Sequence, residues 1–312
     1  MRKIRIALIA GGWSGERDVS LRSGKTVSEA LDRSKYEVVS YDPRDDLSVI
    51  VAVREQIDVA FVLMHGKYGE DGCIQGLLEM LGIRFVGSGV LSSAIALNKK
   101  IAKDIFRRHG LNVPRDIVLK AGGTFSSSEI MGTLGPMTVV KPVGEGSSLG
   151  MSLCSGEDEL VKGIDKAMKH DEEIIVEEYI RGREVTCCVL GKKDLETLPL
   201  IEIIPGTGHS FFDYNAKYMP GATLEICPAE INPSIADRVR EYAIKAHEGL
   251  RCRTWSRSDM IIRDQEIYLL ETNTIPGMTE NSLFPLAARS AGLSMSALVD
   301  KLVSFSLENP LR

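Results

Sequence analysis

The chain has 312 residues, 44% hydrophobic and 26% charged, which suits about two soluble domains with substantial cores. Its 38 basic and 43 acidic residues leave a net charge of −5, so nothing in the balance draws it to nucleic acid or to an anionic membrane surface. No apolar run approaches the length of a membrane span.

The opening MRKIRIALIAGG has an apolar core too short for a signal peptide and runs into Gly11-Gly12, so a buried first strand is expected. Cysteines stand at 73, 154, 187, 188, 227 and 252 with no CxxC spacing. They read as reduced core thiols of a cytosolic protein, not as a disulfide frame or a zinc site.

The first part alternates strand and helix: strand 5–10, helix 18–32, strand 36–41, strand 58–64, helix 73–81 and strand 84–86. That order implies a parallel sheet covered on both faces, hence an α/β domain over 1–90. Its polar loops, GGWSGERD and HGKYGEDG, follow strands, where such sheets bind ligands.

A single long helix over 91–108 is expected to open a second unit, 91–181. Strands follow at 116–119, 138–141, 151–154 and 173–178, with helices after Ser126 and Ser155. Ser126 with Glu129, and Ser155 with Asp158, have capping-box spacing. The last unit, 182–312, has strands at 185–190, 198–204 and 224–227. It adds a helix capped by Asn232 with Pro233 at its first position, then a hairpin and two closing helices.

The chain is organised around that hairpin, within SRSDMIIRDQEIYLLETNTIPGMTENSLFP. Strands 260–263 and 267–270 flank a charged turn, Asp264-Gln265-Glu266. A three-residue loop there pairs Arg263 with Ile267, Ile261 with Leu269 and Asp259 with Glu271, and puts Asn273 and Arg257 on the same face. Opposed carboxylates repel unless a cation lies between them. The pair reads either as the solvated end of a hairpin or as part of a site for a hard divalent ion. With no His or Cys, Asp259, Glu271 and Asn273 suit Mg²⁺. The neighbouring Arg257 and the Thr-Ile-Pro-Gly-Met-Thr turn favour the second reading. Asp259→Ala is expected to spare the fold, because the residue reads as lying at a hairpin edge.

The common phosphate signatures fail. There is no G-x-x-x-x-G-K-[ST], and Gly144-Glu-Gly-Ser-Ser-Leu-Gly150 misses G-x-G-x-x-G and precedes a strand. What remains is a loop with Lys141 on its leading strand and hydroxyls at Ser147 and Ser148. It reads either as a cover for a triphosphate or as a Gly-Ser turn beside a chance lysine. The strand end Glu177-Glu178-Tyr179-Ile180 offers backbone for an adenine, with Glu184 for the ribose, or is simply a charged terminus.

Taken together, eight motifs in register resemble the D-alanine–D-alanine ligase family of the ATP-grasp superfamily. They are Gly11-Gly-x-Ser-x-Glu16; His65-Gly-x-x-Gly-Glu-Asp-Gly72 with Gln75-Gly76; Lys141-Pro with Glu145-Gly-Ser-Ser-x-Gly150; and Tyr214-x-Ala-Lys-Tyr218. Cys227-Pro-Ala229, Arg257-x-Asp259, Glu271-x-Asn-Thr-x-Pro-Gly-Met-Thr279 and Ser282-Leu-x-Pro285 complete the set. The likeness runs from Ile6 to the last helix. It implies an α/β fold in which an N-terminal Rossmann-like, preATP-grasp domain precedes a two-lobed ATP-grasp fold that clamps ATP.

The resemblance also implies the chemistry. ATP phosphorylates the carboxylate of one D-alanine, and the amine of a second displaces phosphate. The product, D-alanyl-D-alanine, serves peptidoglycan precursor synthesis, cell wall biogenesis and cell shape in the cytoplasm. A different acceptor, D-lactate or D-serine, is the alternative.

By the same resemblance, Asp259, Glu271 and Asn273 hold two Mg²⁺, with Mn²⁺ as substitute. Lys99 and Lys141 meet the α- and β-phosphates, and Lys217 the γ-phosphate. Glu177, Glu178, Tyr179, Ile180, Glu184 and Phe211 surround the nucleotide. Arg257 and the Gly277 N–H hold the oxyanion. Glu16 takes the ammonium of the first D-alanine, His65 lines the pocket, and Ser282 and Leu283 meet the second carboxylate. Ser147 and Tyr218 link with Glu16 to draw two loops shut, and Lys217-Tyr218 looks like the dipeptide-forming type. A homodimer is implied, and neither nucleic acid nor membrane as partner. Two departures stand out: Ser256 where the family has Gly, which is expected to shift Arg257, and a large Trp13 that either covers the substrate entrance or faces solvent.

Overall fold

The computed structural model describes residues 2–146, 149–206 and 223–308. Strands β1 (Ile4–Ile9), β2 (Tyr36–Tyr41), β3 (Val59–Val62) and β4 (Arg84–Val86) form a parallel sheet in the order β2-β1-β3-β4. The apolar runs of β1 and β3 are buried because helices cover both faces. The order reverses between β1 and β3, which opens a crevice at their carboxyl ends. Ser20 of α1 (Arg17–Ala30) pins that crevice: its Oγ accepts from Gly11 N–H at 2.7 Å and donates to the Leu63 carbonyl at 2.8 Å. Helix α2 (Pro43–Ala52) fills a stretch to which the sequence reading assigns no element. Its start signal is there, since Asp42 caps it and Pro43 occupies the first turn.

After α3 (Cys73–Met80), the expected single helix over 91–108 is two, α4 (Val90–Leu97) and α5 (Lys99–Arg108). Asn98 is extended (ψ 98°) and caps α5 by accepting from Ile101 N–H. Ala96, Ala102 and Phe106 join the core beneath the third sheet. The second sheet, antiparallel, runs β5-β8-β6-β7 from β5 (Asp116–Lys120), β6 (Met137–Pro142), β7 (Ser152–Ser155) and β8 (Glu173–Glu178). Helices α6 (Ser127–Leu134) and α7 (Glu157–Ala167) cover it. Ser126 caps α6 as its spacing predicts. Ser155 does not cap α7, because Gly156 takes that position and Ser155 N–H donates to Glu159.

The third sheet is ordered β12-β11-β9-β13-β14, with the two-residue β10 (Glu196–Thr197) beside β9. Its other strands are β9 (Arg183–Gly191), β11 (Ile201–Pro205), β12 (Thr223–Ile226), β13 (Thr254–Arg263) and β14 (Glu266–Asn273). Helix α8 (Pro233–Gly249), capped by Asn232, packs on it through Val239, Ala243 and Ala246. The closing helices α9 (Leu283–Ser290) and α10 (Met295–Leu307) share the first sheet's core instead. Buried Trp255 bridges the two, edge-on to Phe61 at 6.1 Å and to Phe284 at 5.2 Å.

The β13–β14 hairpin corrects two expectations. Arg263 pairs with Glu266, so the turn is the two residues Asp264 and Gln265, with Asp264 at φ 58°. That register would put Asp259 out of step with Glu271, but Leu270 is an extra bulged residue, and the two acids are restored opposite one another. Asp259 does not lie at an edge either. It sits mid-way along a strand flanked by β9 and β14 and is 6% exposed.

Candidate active site

A cleft of about 190 Å³ opens where the β1 and β3 loops face the β13–β14 hairpin. Its walls include Glu16, His65, Glu70, Lys99, Arg257, Glu271, Asn273, Gly277, Ser282 and Leu283. Six separate segments thus bring charged or polar groups to one hollow.

The hairpin supplies its most charged wall. Asp259 pairs across the strands with Glu271, and Arg257 with Asn273. Arg257 grips Asp259 at both oxygens, Nε to Oδ1 at 2.9 Å and Nη2 to Oδ2 at 2.8 Å. Burial works against the guanidinium charge, but the Asp259 carboxylate outweighs it and holds the arginine protonated. Asn273 Nδ2 donates to Asp259 Oδ2 at 3.2 Å, and Thr186, opposite on β9, donates to Oδ1 at 2.5 Å. Thr186 is a participant the sequence did not disclose, because only strand pairing brings it there. Ser256 points the other way, its hydroxyl 2.8 Å from His247 Nδ1 on α8. The residue standing in place of glycine therefore serves the core, and Arg257 still lines the cleft.

Among the described residues no three His, Cys, Asp or Glu side chains converge as a metal cage. Asp259, Glu271 and Asn273 are nonetheless an all-oxygen set on one face of the hairpin, and that chemistry fits a hard divalent ion keeping part of its water shell. An ion there would compete with Arg257 for the Asp259 oxygens.

Lys141, on β6, is 2.6 Å from Glu177. Burial pulls its ammonium toward neutrality, but Glu177, Glu271 and Glu184 outweigh burial and keep it charged. Lys99 begins α5 and donates to the Glu145 carbonyl in the glycine loop, which Asp171 also anchors through Gly144 N–H at 2.7 Å. Glu177 and Glu178 end β8, the strand expected beside the nucleotide; the Glu177 side chain meets Lys103 and Lys141, and that of Glu178 meets Arg115. The N–H groups of Glu178 and Tyr179 donate to the carbonyls of Arg115 and Met137. Ile180 follows, buried, and Glu184 lies on β9 facing the neighbourhood of Lys141.

The opposite wall is built by two loops. Glu16 is 5% exposed at the start of α1, and His65 is equally buried after β3. Burial pushes the His65 imidazole pKa below its ordinary value; Arg257 adds to this and Glu16 opposes it. Gly66 (φ 67°) lets the loops meet: a Cβ there would lie 3.2 Å from Ser14 and 3.4 Å from Glu16 Oε2. The glycine loop also closes in, since a Cβ on Gly146 would stand 3.2 Å from the same oxygen. Glu70, inside a recognised motif but without an expected role, accepts from Gly66 N–H at 2.7 Å. Burial and the Glu16 and Glu271 carboxylates push its pKa up to about 8. Trp13 is 47% exposed, in line with the solvent-facing alternative, and packs edge-on against Tyr68 of the second loop at 5.4 Å.

At the cleft floor the Thr279 N–H and hydroxyl both meet Ser282 Oγ, at 3.0 and 2.8 Å, and Ser282 is the N-cap of α9. Gly277 must be small, as a Cβ would meet that oxygen at 2.9 Å. Leu283, the first helical residue, is buried beside it. Ser147, Phe211, Lys217 and Tyr218 lie outside the described residues.

The fold is that of the ATP-grasp class, a lead α/β sheet followed by two antiparallel lobes, with oxygen-rich and cationic groups facing one cleft. Two family models match, D-ala D-ala ligase N-terminus over residues 44–88 and D-ala D-ala ligase C-terminus over residues 105–304. A D-alanine–D-alanine ligase of Syntrophobacter fumaroxidans is 48% identical over 307 residues, 98% of this chain and 99% of its own. One from Desulfotalea psychrophila is 49% identical over 308 residues, 98% of this chain and 96% of its own. The crystal structure of D-alanine–D-alanine ligase from Bacillus anthracis complexed with ATP superposes with a TM-score of 0.86 at 34% identity, covering 97% of both chains. The chain belongs to the D-alanine–D-alanine ligase family, and it is a ligase. None of its described helices is long and apolar enough to cross a membrane.

Proposed function

We propose that this enzyme joins two D-alanines, using ATP to phosphorylate the first carboxylate and releasing ADP and then phosphate. The observation that carries the site assignment is the convergence of Glu16, His65, Arg257, Glu271 and Ser282 on one cleft. Glu16 is the counter-ion for the first ammonium. Arg257 and the Gly277 N–H steady charge on the oxygen of the tetrahedral species formed when the second amine attacks; such donors are often worth several kcal/mol. That amine loses a proton as the C–N bond forms, and the acyl C–O bond to phosphate breaks.

Ser282 and the N-terminus of α9 receive the second carboxylate, beside Leu283. Lys99 and Lys141 hold the α- and β-phosphates and Lys217 the γ-phosphate. The base lies along the strand end Glu177, Glu178, Tyr179 and Ile180, with Phe211 completing its pocket and Glu184 on the ribose. Ser147 and Tyr218 complete the loop closure over Glu16. Asp259, Glu271 and Asn273 would hold Mg²⁺, or Mn²⁺ in its place, which when bound neutralises phosphate charge. We assign the three units to 1–90, 91–181 and 182–312, and propose a cytoplasmic homodimer serving peptidoglycan synthesis.

The test is ADP release with D-alanine, L-alanine, D-serine or D-lactate as acceptor, with Mg²⁺ and after chelation. D-alanine-dependent release that chelation abolishes is expected. A preference for D-serine or D-lactate would transfer the protein to the alternative acceptor class.

A further inference from the structure

Glu225, on β12, lines the cleft with Glu16, Arg257 and Ser282 and has no part in the reaction as assigned. Strand pairing sets its direction. Glu225 pairs with Ile203 of β11, Ile203 with Glu184 of β9, and Glu184 with Ile261 of β13. Paired residues, and residues two apart along a strand, project from one face. Glu225 therefore shares the face of Glu184, Asp259 and Arg257. β12 is the outer strand, two strands from β9 and three from β13, which is roughly 10 and 14 Å at the usual strand spacing. At that distance Glu225 cannot share one ion with Asp259, because ligand oxygens stand about 2 Å from a Mg²⁺. Cys227, two residues on, lies beside Ser290 at the end of α9, so β12 abuts the helix that Ser282 caps.

The Glu225 carboxylate is half-buried, and among the described residues no hydrogen bond or ion pair holds it. Burial pushes its pKa above the ordinary value, and Arg257 opposes this. An anion in that condition gains from a cation. The fixed cations beside it have other work: Arg257 holds both oxygens of Asp259, and Lys99 meets the Glu145 carbonyl. Phosphate would be repelled, so the fitting partner is a positive group carried in by a ligand.

We infer that Glu225 is the counter-ion for the ammonium of the second D-alanine, and so selects an amine acceptor over a hydroxyl one. This rests on the proposed joining of two D-alanines and deepens it. Each D-alanine arrives as a zwitterion. Glu16 takes the first ammonium and Ser282 the second carboxylate, which leaves the second ammonium without an anion. Glu225 supplies one in the same cleft. D-lactate carries a hydroxyl in place of the ammonium and keeps the carboxylate, so beside Glu225 it loses the attraction and meets repulsion. Selectivity of this kind uses both terms.

The test uses Glu225→Gln, which keeps the shape and removes the charge, and Glu225→Asp, which keeps the charge, in the full enzyme with ATP and Mg²⁺. Steady-state rates over a wide range of D-alanine give a separate KM for each substrate site, and D-lactate is run as an inhibitor competing with the second D-alanine. Glu225→Gln should raise the second KM about tenfold, the scale of one charged hydrogen bond. The first KM, the KM for ATP and kcat should stay within about twofold. Inhibition by D-lactate should be unchanged or tighter, and Glu225→Asp should fall between Gln and the parent. A second KM within twofold of the parent in folded Glu225→Gln would overturn the inference. So would an equal rise in the first KM or the KM for ATP, which would mean a disturbed lobe. A fall in kcat with both KM values intact would assign Glu225 to Arg257 instead, and D-lactate weakened as much as D-alanine would show that shape matters and charge does not. A parent that refuses D-alanine as acceptor but takes D-serine, with the same penalty in Glu225→Gln, would uphold the counter-ion and sink only the proposed acceptor. A parent that prefers D-lactate would sink both.

Discussion

Thr186 and Asp259 stand directly opposite one another on β9 and β13, and the fully buried threonine hydroxyl donates to Oδ1 at 2.5 Å. That contact holds the carboxylate from behind while Arg257 holds it from the side. Thr186→Val keeps the shape and removes the donor. Stability should fall by about 1–2 kcal/mol, the usual cost of leaving a buried partner unsatisfied. Urea denaturation measures it, with Thr186→Ser as the restoring control.

Asp259 itself has two roles that separate by substitution. Asp259→Asn keeps the volume and some hydrogen bonding, so a folded but inactive enzyme is expected. Asp259→Ala leaves the Arg257 guanidinium without its carboxylate in a mostly buried position. Breaking such a pair should cost on the order of 3 kcal/mol. A denaturation curve for Asp259→Ala that overlays the parent would return the residue to the expendable edge position its sequence suggested.

Those contrasts mark what the sequence discloses. Alternation and turn residues locate the sheets, and the spacing of Asp259, Glu271, Asn273 and Arg257 puts them on one face of one hairpin. The pairing of Asp259 with Glu271 is reached through a loop one residue too long, an error cancelled by the bulge at Leu270. Thr186 and Lys103 stay hidden for a different reason. Each matters through a partner distant in sequence, and no local period encodes that Lys103 on α5 meets Glu177 on β8. The closing helices are legible as helices, but not the sheet they cover, because an apolar face does not name its partner.

Glu177 should make the fold acid-sensitive. Burial would raise its pKa, yet Lys103 and Lys141 outweigh burial and hold the carboxyl down at about 2, against an ordinary 4.5. As pH falls below 4.5 the unfolded chain takes the proton first, so this stabilisation is complete above 4.5 and lost as pH falls through 2. Unfolding free energy measured from pH 6 down to about 3 should decline less steeply in Glu177→Gln than in the parent.

Glu70 has the opposite sign. Its carboxyl titrates near 8 in the fold, against 4.5 in an unperturbed chain. The folded state binds the proton more tightly, so the contribution is full below 4.5 and is lost as pH rises through 8. Glu70→Gln cannot ionise and retains an oxygen for the Gly66 N–H. The variant should be more stable than the parent at pH 9 and nearly equal at pH 5, in thermal unfolding without nucleotide. A parent advantage at pH 9 would mean that Glu70 is ionised and satisfied in the fold.

Ser256 offers a last separation, between core and chemistry. It precedes Arg257, but successive strand residues face opposite sides, and its hydroxyl meets His247 of α8 at 2.8 Å. His247 is 2% exposed, and burial holds its pKa down at about 4, so a neutral ring shares this hydrogen bond at pH 7. Ser256→Ala leaves the buried ring nitrogen without that partner and should lower stability by about 1 kcal/mol. Arg257 keeps both bonds to Asp259, so kcat and both KM values should stay within about twofold of the parent. A tenfold fall in kcat at full stability would show instead that the hydroxyl sets the direction of Arg257 through the backbone.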